Sequence, residues 1–136
     1  MNMKNFKYFF AISILILTAC SKEEVPTYNE QIKGVWNLTN IIQRKESQIK
    51  VLQNGNSTFE FKLNSVSIIG DTYLNKTGKY SYIISNENYF KPELIEPKNN
   101  VLKIGDHKYL VEIEYEGKNM ILTNYSDGRI IYYLSK

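Results

Sequence analysis

At 136 residues the chain has room for one domain. It carries 17 Lys and Arg against 14 Asp and Glu, with one histidine and one cysteine. That near balance excludes the concentrated basic face that nucleic acid needs and leaves no polybasic stripe for anionic lipid. A lone cysteine excludes an internal disulfide, so stability rests on packing.

In chain order, Lys4 and Lys7 come first, and Tyr8 to Leu17 is then apolar except for Ser13. About ten apolar residues cannot cross a hydrocarbon core that needs roughly twenty. A short apolar run behind a basic start is the pattern of a secretory signal. The run closes on Leu17-Thr18-Ala19-Cys20, which resembles the lipobox of bacterial lipoproteins. That resemblance implies cleavage between Ala19 and Cys20 and a diacylglycerol on the Cys20 thiol. Removing residues 1–19 leaves 117 residues with 15 basic and 14 acidic side chains. Two or more acyl chains hold a protein stably to a membrane without spanning it. Ser21 stands where the resemblance would place an inner-membrane retention Asp, which implies the outer membrane. Lys22-Glu23-Glu24 resembles a surface-export signal, and reads equally well as a solvated linker facing the periplasm. Residues 20–30, with Pro26 and no periodic pattern, are expected to be the lipidated cysteine and a flexible tether. Residues 31–136 are the expected domain.

From Gly34 onward the dominant period is two. Thr58 to Leu63 alternates with Phe59, Phe61 and Leu63 on one face; Tyr109 to Tyr115 alternates with Tyr109, Val111, Ile113 and Tyr115 on one face. These runs are aromatic and β-branched, as a half-buried pleated surface requires. Glycine-bearing turns at Gly105-Asp106, Glu116-Gly117-Lys118 and Ser126-Asp127-Gly128 separate them as hairpin connections. The pattern predicts eight strands, over 34–42, 57–63, 65–70, 78–84, 100–104, 107–115, 118–124 and 129–135. Residues 43–56 read either as a lid or, with Ile49 and Val51 alternating, as an extension of the second strand. Residues 85–99, with Pro92 and Pro97, read as a long loop holding at most one helical turn near Glu93 to Glu96. Closing such a meander removes its edges, so the expected fold is all-β, an eight-stranded antiparallel up-and-down barrel. A two-sheet sandwich satisfies the same alternation.

Gly34-Val35-Trp36 opens the first strand, and Ile130-Ile131-Tyr132-Tyr133-Leu134 closes the chain with a Tyr-rich strand. With the lipobox and the eight-strand layout, this resembles the small lipocalin-like lipoproteins of bacteria over most of the mature length. The resemblance implies Trp36 as a plug at one end of the barrel, and a small apolar or amphipathic ligand inside. Two features depart from it. The Thr-Asp-Tyr motif is replaced by Glu116-Gly117-Lys118. The arginine that packs over the Trp from the end of the last strand is missing. Arg129 sits at the beginning of that strand, so Lys136 is the residue placed to cover Trp36.

Catalytic constellations are scarce. His107, the single histidine, lies beside a Gly-Asp turn, and no Gly-x-Ser-x-Gly elbow accompanies it. No cluster has metal-ligand spacing, so neither a metal nor another cofactor is expected. Glu112 and Glu114 share one polar strand face, whereas a retaining glycosidase needs facing carboxylates about 5 Å apart. The chain is therefore expected not to be an enzyme. Two functions remain open. In one, Phe59, Phe61, Tyr80, Tyr82, Tyr109, Tyr115 and Tyr133 point inward and line a ligand pocket. In the other, the same rings fill the lumen and the barrel is an interaction module, with Tyr89 and Phe90 in the 85–99 loop as contact residues.

Overall fold

The computed structural model describes residues 27–114 and 116–136. The signal, Cys20, the tether as far as Pro26, and Tyr115 lie outside the described residues.

Short helix α1, Tyr28–Gln31, precedes nine strand segments: β1 Gly34–Lys45, β2 Gln48–Asn54, β3 Thr58–Phe61, β4 Ser65–Ile69, β5 Gly78–Glu87, β6 Asn99–Ile104, β7 His107–Ile113, β8 Asn119–Asn124 and β9 Arg129–Ser135. Each pairs antiparallel with its neighbour, and β1 also pairs β9, which closes the sheet. The nine segments make eight staves. The first half of β1 pairs β3 and its second half pairs β2, so β2 and β3 are one stave interrupted at Gly55-Asn56-Ser57. The fold is therefore a closed eight-stranded antiparallel barrel, and the β1–β9 pairing is what decides it against the two-sheet sandwich.

Three local features go beyond the strand pattern, each for a physical reason. First, Thr27 to Gln31 is folded and not tether. Thr27 caps α1, its backbone N–H donating to Glu30 Oε2 at 3.0 Å. The helix delivers Ile32 fully buried into the core. Second, residues 43–56 form a hairpin. Lys45 pairs Gln48 around Glu46-Ser47, and Glu46 takes φ 54, the positive φ that a two-residue hairpin turn demands at its first position. The strand-extension alternative holds, and the register slips between Ile41 and Ile42 opposite β2. Third, β5 runs on to Glu87, and only a single turn, Leu94 N–H to Lys91 O at 2.9 Å, interrupts the loop that follows.

One close approach is built around glycine. Gly70, at φ +82, ends β4 so near the interrupted stave that a Cβ would collide with Asn56 O.

Candidate functional site

The first strand starts at the base of the barrel, and Trp36 fills that end with no exposed surface. Its Nε1–H donates to Ile32 O at 2.6 Å. Lys136, one residue past the last strand, crosses back over it. Its Nζ stands 4.5 Å from the centroid of the Trp36 ring and donates to Gln31 O at 2.8 Å. A cation over an indole face is electrostatically favourable. Partial burial lowers the Lys136 pKa. The chain thus covers its tryptophan with a C-terminal lysine, while Arg129 pairs with Arg44 on a distant part of the wall.

Aromatic rings occupy the lumen. Phe59 and Phe61 are buried and stacked at 6.3 Å, and Tyr82 meets Phe61 edge-on at 5.1 Å. Phe59 is the register partner of Trp36, which sets it at the base. Tyr80 and Tyr82 are half-buried against the core, and their hydroxyls donate to Lys76 O at 2.7 Å and to Lys62 O at 2.6 Å. Tyr109 and Tyr132 are buried and meet at 5.5 Å with planes near perpendicular.

Residues 71–77, the connection from β4 to β5, fold over the opposite end. Thr72 and Asn75 are buried and bonded to each other: Asn75 N–H donates to Thr72 Oγ1 at 3.0 Å, and Thr72 Oγ1–H donates to Asn75 O at 2.8 Å. Two phenols anchor this plug from within. Tyr109 donates to Asn75 Oδ1 at 2.6 Å, and Tyr132 accepts from Leu74 N–H at 3.1 Å. Burial pushes both phenols up, Tyr132 to about 12 and Tyr109 further. A neutral phenol satisfies a buried amide oxygen, and ionising it there would leave a charge without solvent.

Of the residues expected to line a pocket, Phe59, Phe61, Tyr80, Tyr82 and Tyr109 do face the core, and they pack it. Tyr133 does not; Tyr132 takes the inward position. Both faces of β9 are apolar, so its alternation does not reveal which one points in, and β9 buries Ile130, Tyr132 and Leu134 toward the lumen. Tyr133 instead lines a groove of about 660 Å³ on the outer wall near the base, with Tyr28, Thr39, Glu112, Ile121 and Asn119 among its other walls. Glu112 and Glu114 border this groove as exposed side chains. His107 is half-buried beside Gly105-Asp106. Among the described residues no group of three or more His, Cys, Asp or Glu is placed to hold a metal ion.

The outer wall is more apolar than the lumen reading anticipates. Register partners join one outward residue from each of six successive staves: Val101, Leu110, Thr123, Ile131, Ile42 and Val51. Val101, Thr123 and Ile131 are buried although they belong to the outside. The loop after β5 lies near this wall. Tyr89, expected to be exposed, is only 7% so. Its hydroxyl donates to Lys108 O at 3.0 Å and accepts from Tyr125 N–H at 3.4 Å, which wedges a phenol between β7 and the end of β8. Lys108 Nζ donates to Tyr89 O and lies over the same ring, 4.6 Å from its centroid. Phe90 remains 68% exposed and joins Tyr89 and Tyr125 in an edge-packed trio.

Asn75, Tyr132 and Tyr89 are the residues that sequence reasoning missed. An asparagine in a polar loop carries no mark of being swallowed by a barrel; the one signal was that two inward phenols need partners. Compared with known proteins, the chain matches no family model, no curated protein and no solved structure.

Proposed function

We propose that the chain is a membrane-tethered, non-enzymatic lipoprotein of lipocalin-like design whose packed barrel engages a protein partner through its outer surface. The observation that carries this reading is the plugged lumen. Asn75 sits where a ligand would enter, bonded to Tyr109 at 2.6 Å; Tyr109 packs edge-on against Tyr132, and Phe61 packs against Phe59 and Tyr82. A pocket that binds a drug-sized molecule needs several hundred Å³ and convergent polar groups. Here the inward hydroxyls already bond to the protein's own backbone and to Asn75. The apolar surface that remains available lies outside, around Phe90 and along β2. The tether is read from Leu17-Thr18-Ala19-Cys20, which precedes α1 at Tyr28 by eight positions.

One experiment in intact cells tests both halves. A photo-crosslinking residue replaces Phe90 in the full chain, with and without Cys20→Ser. With Cys20 present, the chain is expected to label with a radioactive fatty acid, to pellet with membranes and to give a discrete protein adduct. The Cys20→Ser variant is expected to lose the label and the processed membrane form. A Cys20→Ser chain that is still processed and membrane-bound contradicts the tether. Adducts that form only with lipid, or none from any outward position, contradict the interaction reading.

The groove of about 660 Å³ beside Tyr28 and Tyr133 is the observation that favours a second reading. An amphipathic small molecule bound there would sit on the wall near the tether and not in the lumen.

A further inference from the structure

Closing a barrel satisfies the backbone of every stave, but the hairpin of this one outgrows the closure. Among the described residues β2 pairs only with β1, over Gln48–Asn54, and β4 has already ended at Ile69. The far side of Gln48–Leu52 therefore presents an unpaired strand edge. In an antiparallel pair the backbone groups of successive residues turn alternately toward and away from the partner strand. Lys45 and Gln48 flank the two-residue turn and form its bonded pair, so Gln48 and Lys50 face β1. Ile49 and Val51 direct their N–H and C=O groups to the open side.

Natural proteins commonly protect such an edge with proline, bulges or inward charges. This edge has a bulge at Leu52 and an inward-facing lysine at Lys50, and it still exposes two β-branched side chains. Ile49 is 66% and Val51 53% exposed, and both side chains lie on the outer face. Val51 is also the last member of the apolar row that runs from Val101 through Ile131 and Ile42. The row stops at the open edge, with no further strand beyond it among the described residues. Lys50, on the other face of the strand, makes no ion pair among the described residues. Arg44 and Arg129 stand directly opposite each other beside Ile49, and they too make none. Lys45 alone in this group has a carboxylate, Asp127 at 2.8 Å.

From this placement we infer that β2 is a docking edge for an extended segment of a partner protein, added as a further strand, with apolar residues opposite Ile49 and Val51 and acidic residues opposite Lys50. Backbone pairing supplies the affinity in such additions, and alternate side chains supply the selection. Here the apolar positions prolong the outer row and the acidic ones meet an unopposed cation. A second copy of this chain fits less well, because antiparallel self-pairing sets the two Lys50 side chains close together, and like charges across strands are destabilising. The inference rests on the partner-binding reading and gives that partner a chemistry.

The test uses the full chain and a hexapeptide of alternating valine and glutamate, with a valine–lysine hexapeptide as control. Amide hydrogen exchange reads the site. Ile49 and Val51 are expected to exchange fast alone and to become protected with the valine–glutamate peptide, while Gln48 and Lys50 are protected throughout. The control is expected to bind at least about tenfold more weakly. Val51→Pro removes an edge donor without removing a bond to β1, and is expected to abolish the protection. Lys50→Glu, which leaves the backbone alone, is expected to invert the preference between the peptides. The inference is overturned by absent protection at saturating peptide, by equal binding of the two peptides, or by protection that grows with protein concentration alone. Adducts from the Phe90 position alongside any of these would leave the partner-binding reading standing and remove only the edge.

Discussion

Replacing Trp36 by alanine is expected to cost about 3–5 kcal/mol, the range for truncating a buried aromatic. That is a large fraction of the roughly 5–15 kcal/mol that holds a typical domain. Three structural reasons place Trp36 at this end of the scale. The ring is fully buried at the base and pairs in register with Phe59. Its Nε1–H holds the carbonyl of Ile32, and so the end of α1. Its face carries Lys136. Alanine would leave Ile32 O without its donor and Lys136 without its ring. Chemical denaturation of the parent and the variant at one pH measures the cost. A midpoint and slope unchanged within error would show that the base is not held by this residue.

The second large effect is on alkaline stability. Tyr109 and Tyr132 have folded pKa values raised above the ordinary phenol value, Tyr132 to about 12 and Tyr109 beyond it. Burial is the main cause for both. The neutral phenol is therefore favoured in the folded state. Its contribution is fully present below the unfolded pKa near 10 and is lost as pH rises above that value. Each phenol is expected to cost about 1.4 kcal/mol per pH unit above about 10, and for Tyr132 the loss levels off near 12. Lys136, whose pKa is lowered, acts with the opposite sign in the same window, but it is only partly buried. The measurement is unfolding free energy between about pH 9 and pH 11.5, a window that brackets the unfolded phenol pKa. Tyr109→Phe is expected to flatten the decline by about one proton's worth. A decline of the same steepness in Tyr109→Phe as in the parent would mean that the Tyr109 phenol is not buried against Asn75.

The sequence carried the barrel because the barrel is written in local terms. Alternation in Thr58 to Phe61 and in Tyr109 to Ile113, with glycine in the three turns at Gly105, Gly117 and Gly128, locates staves without knowledge of their partners. The Gly-x-Trp start and the C-terminal lysine were legible together, since an even number of antiparallel staves returns the chain end to the base where Trp36 lies. Other features depend on contacts between distant parts of the chain. In Ile130 to Leu134 both faces are apolar, because the outer one is also buried, and period two then cannot choose between Tyr132 and Tyr133. The burial of Tyr89 depends on the backbone of Lys108 and Tyr125, nineteen and thirty-six positions away. Asn75 enters the core because Tyr109, thirty-four positions on, needs an acceptor. A polar loop and a polar plug have the same composition, and only the tertiary partner distinguishes them.

The filled lumen is the claim on which the functional reading turns, and titration of the full chain with a fluorescent fatty-acid probe tests it most directly. Excitation of Trp36, the chain's one tryptophan, with detection of energy transfer to the probe, reports on the lumen, because the ring lies at its base. With Asn75 seated on Tyr109 and the rings of Phe59, Phe61 and Tyr132 in place, no saturable lumen occupancy is expected. Any weak signal from the outer groove is expected to be insensitive to Phe59→Leu. Saturable binding at about micromolar probe that weakens in Phe59→Leu, and tightens when Tyr109→Phe releases the plug, would show an open pocket and contradict the account.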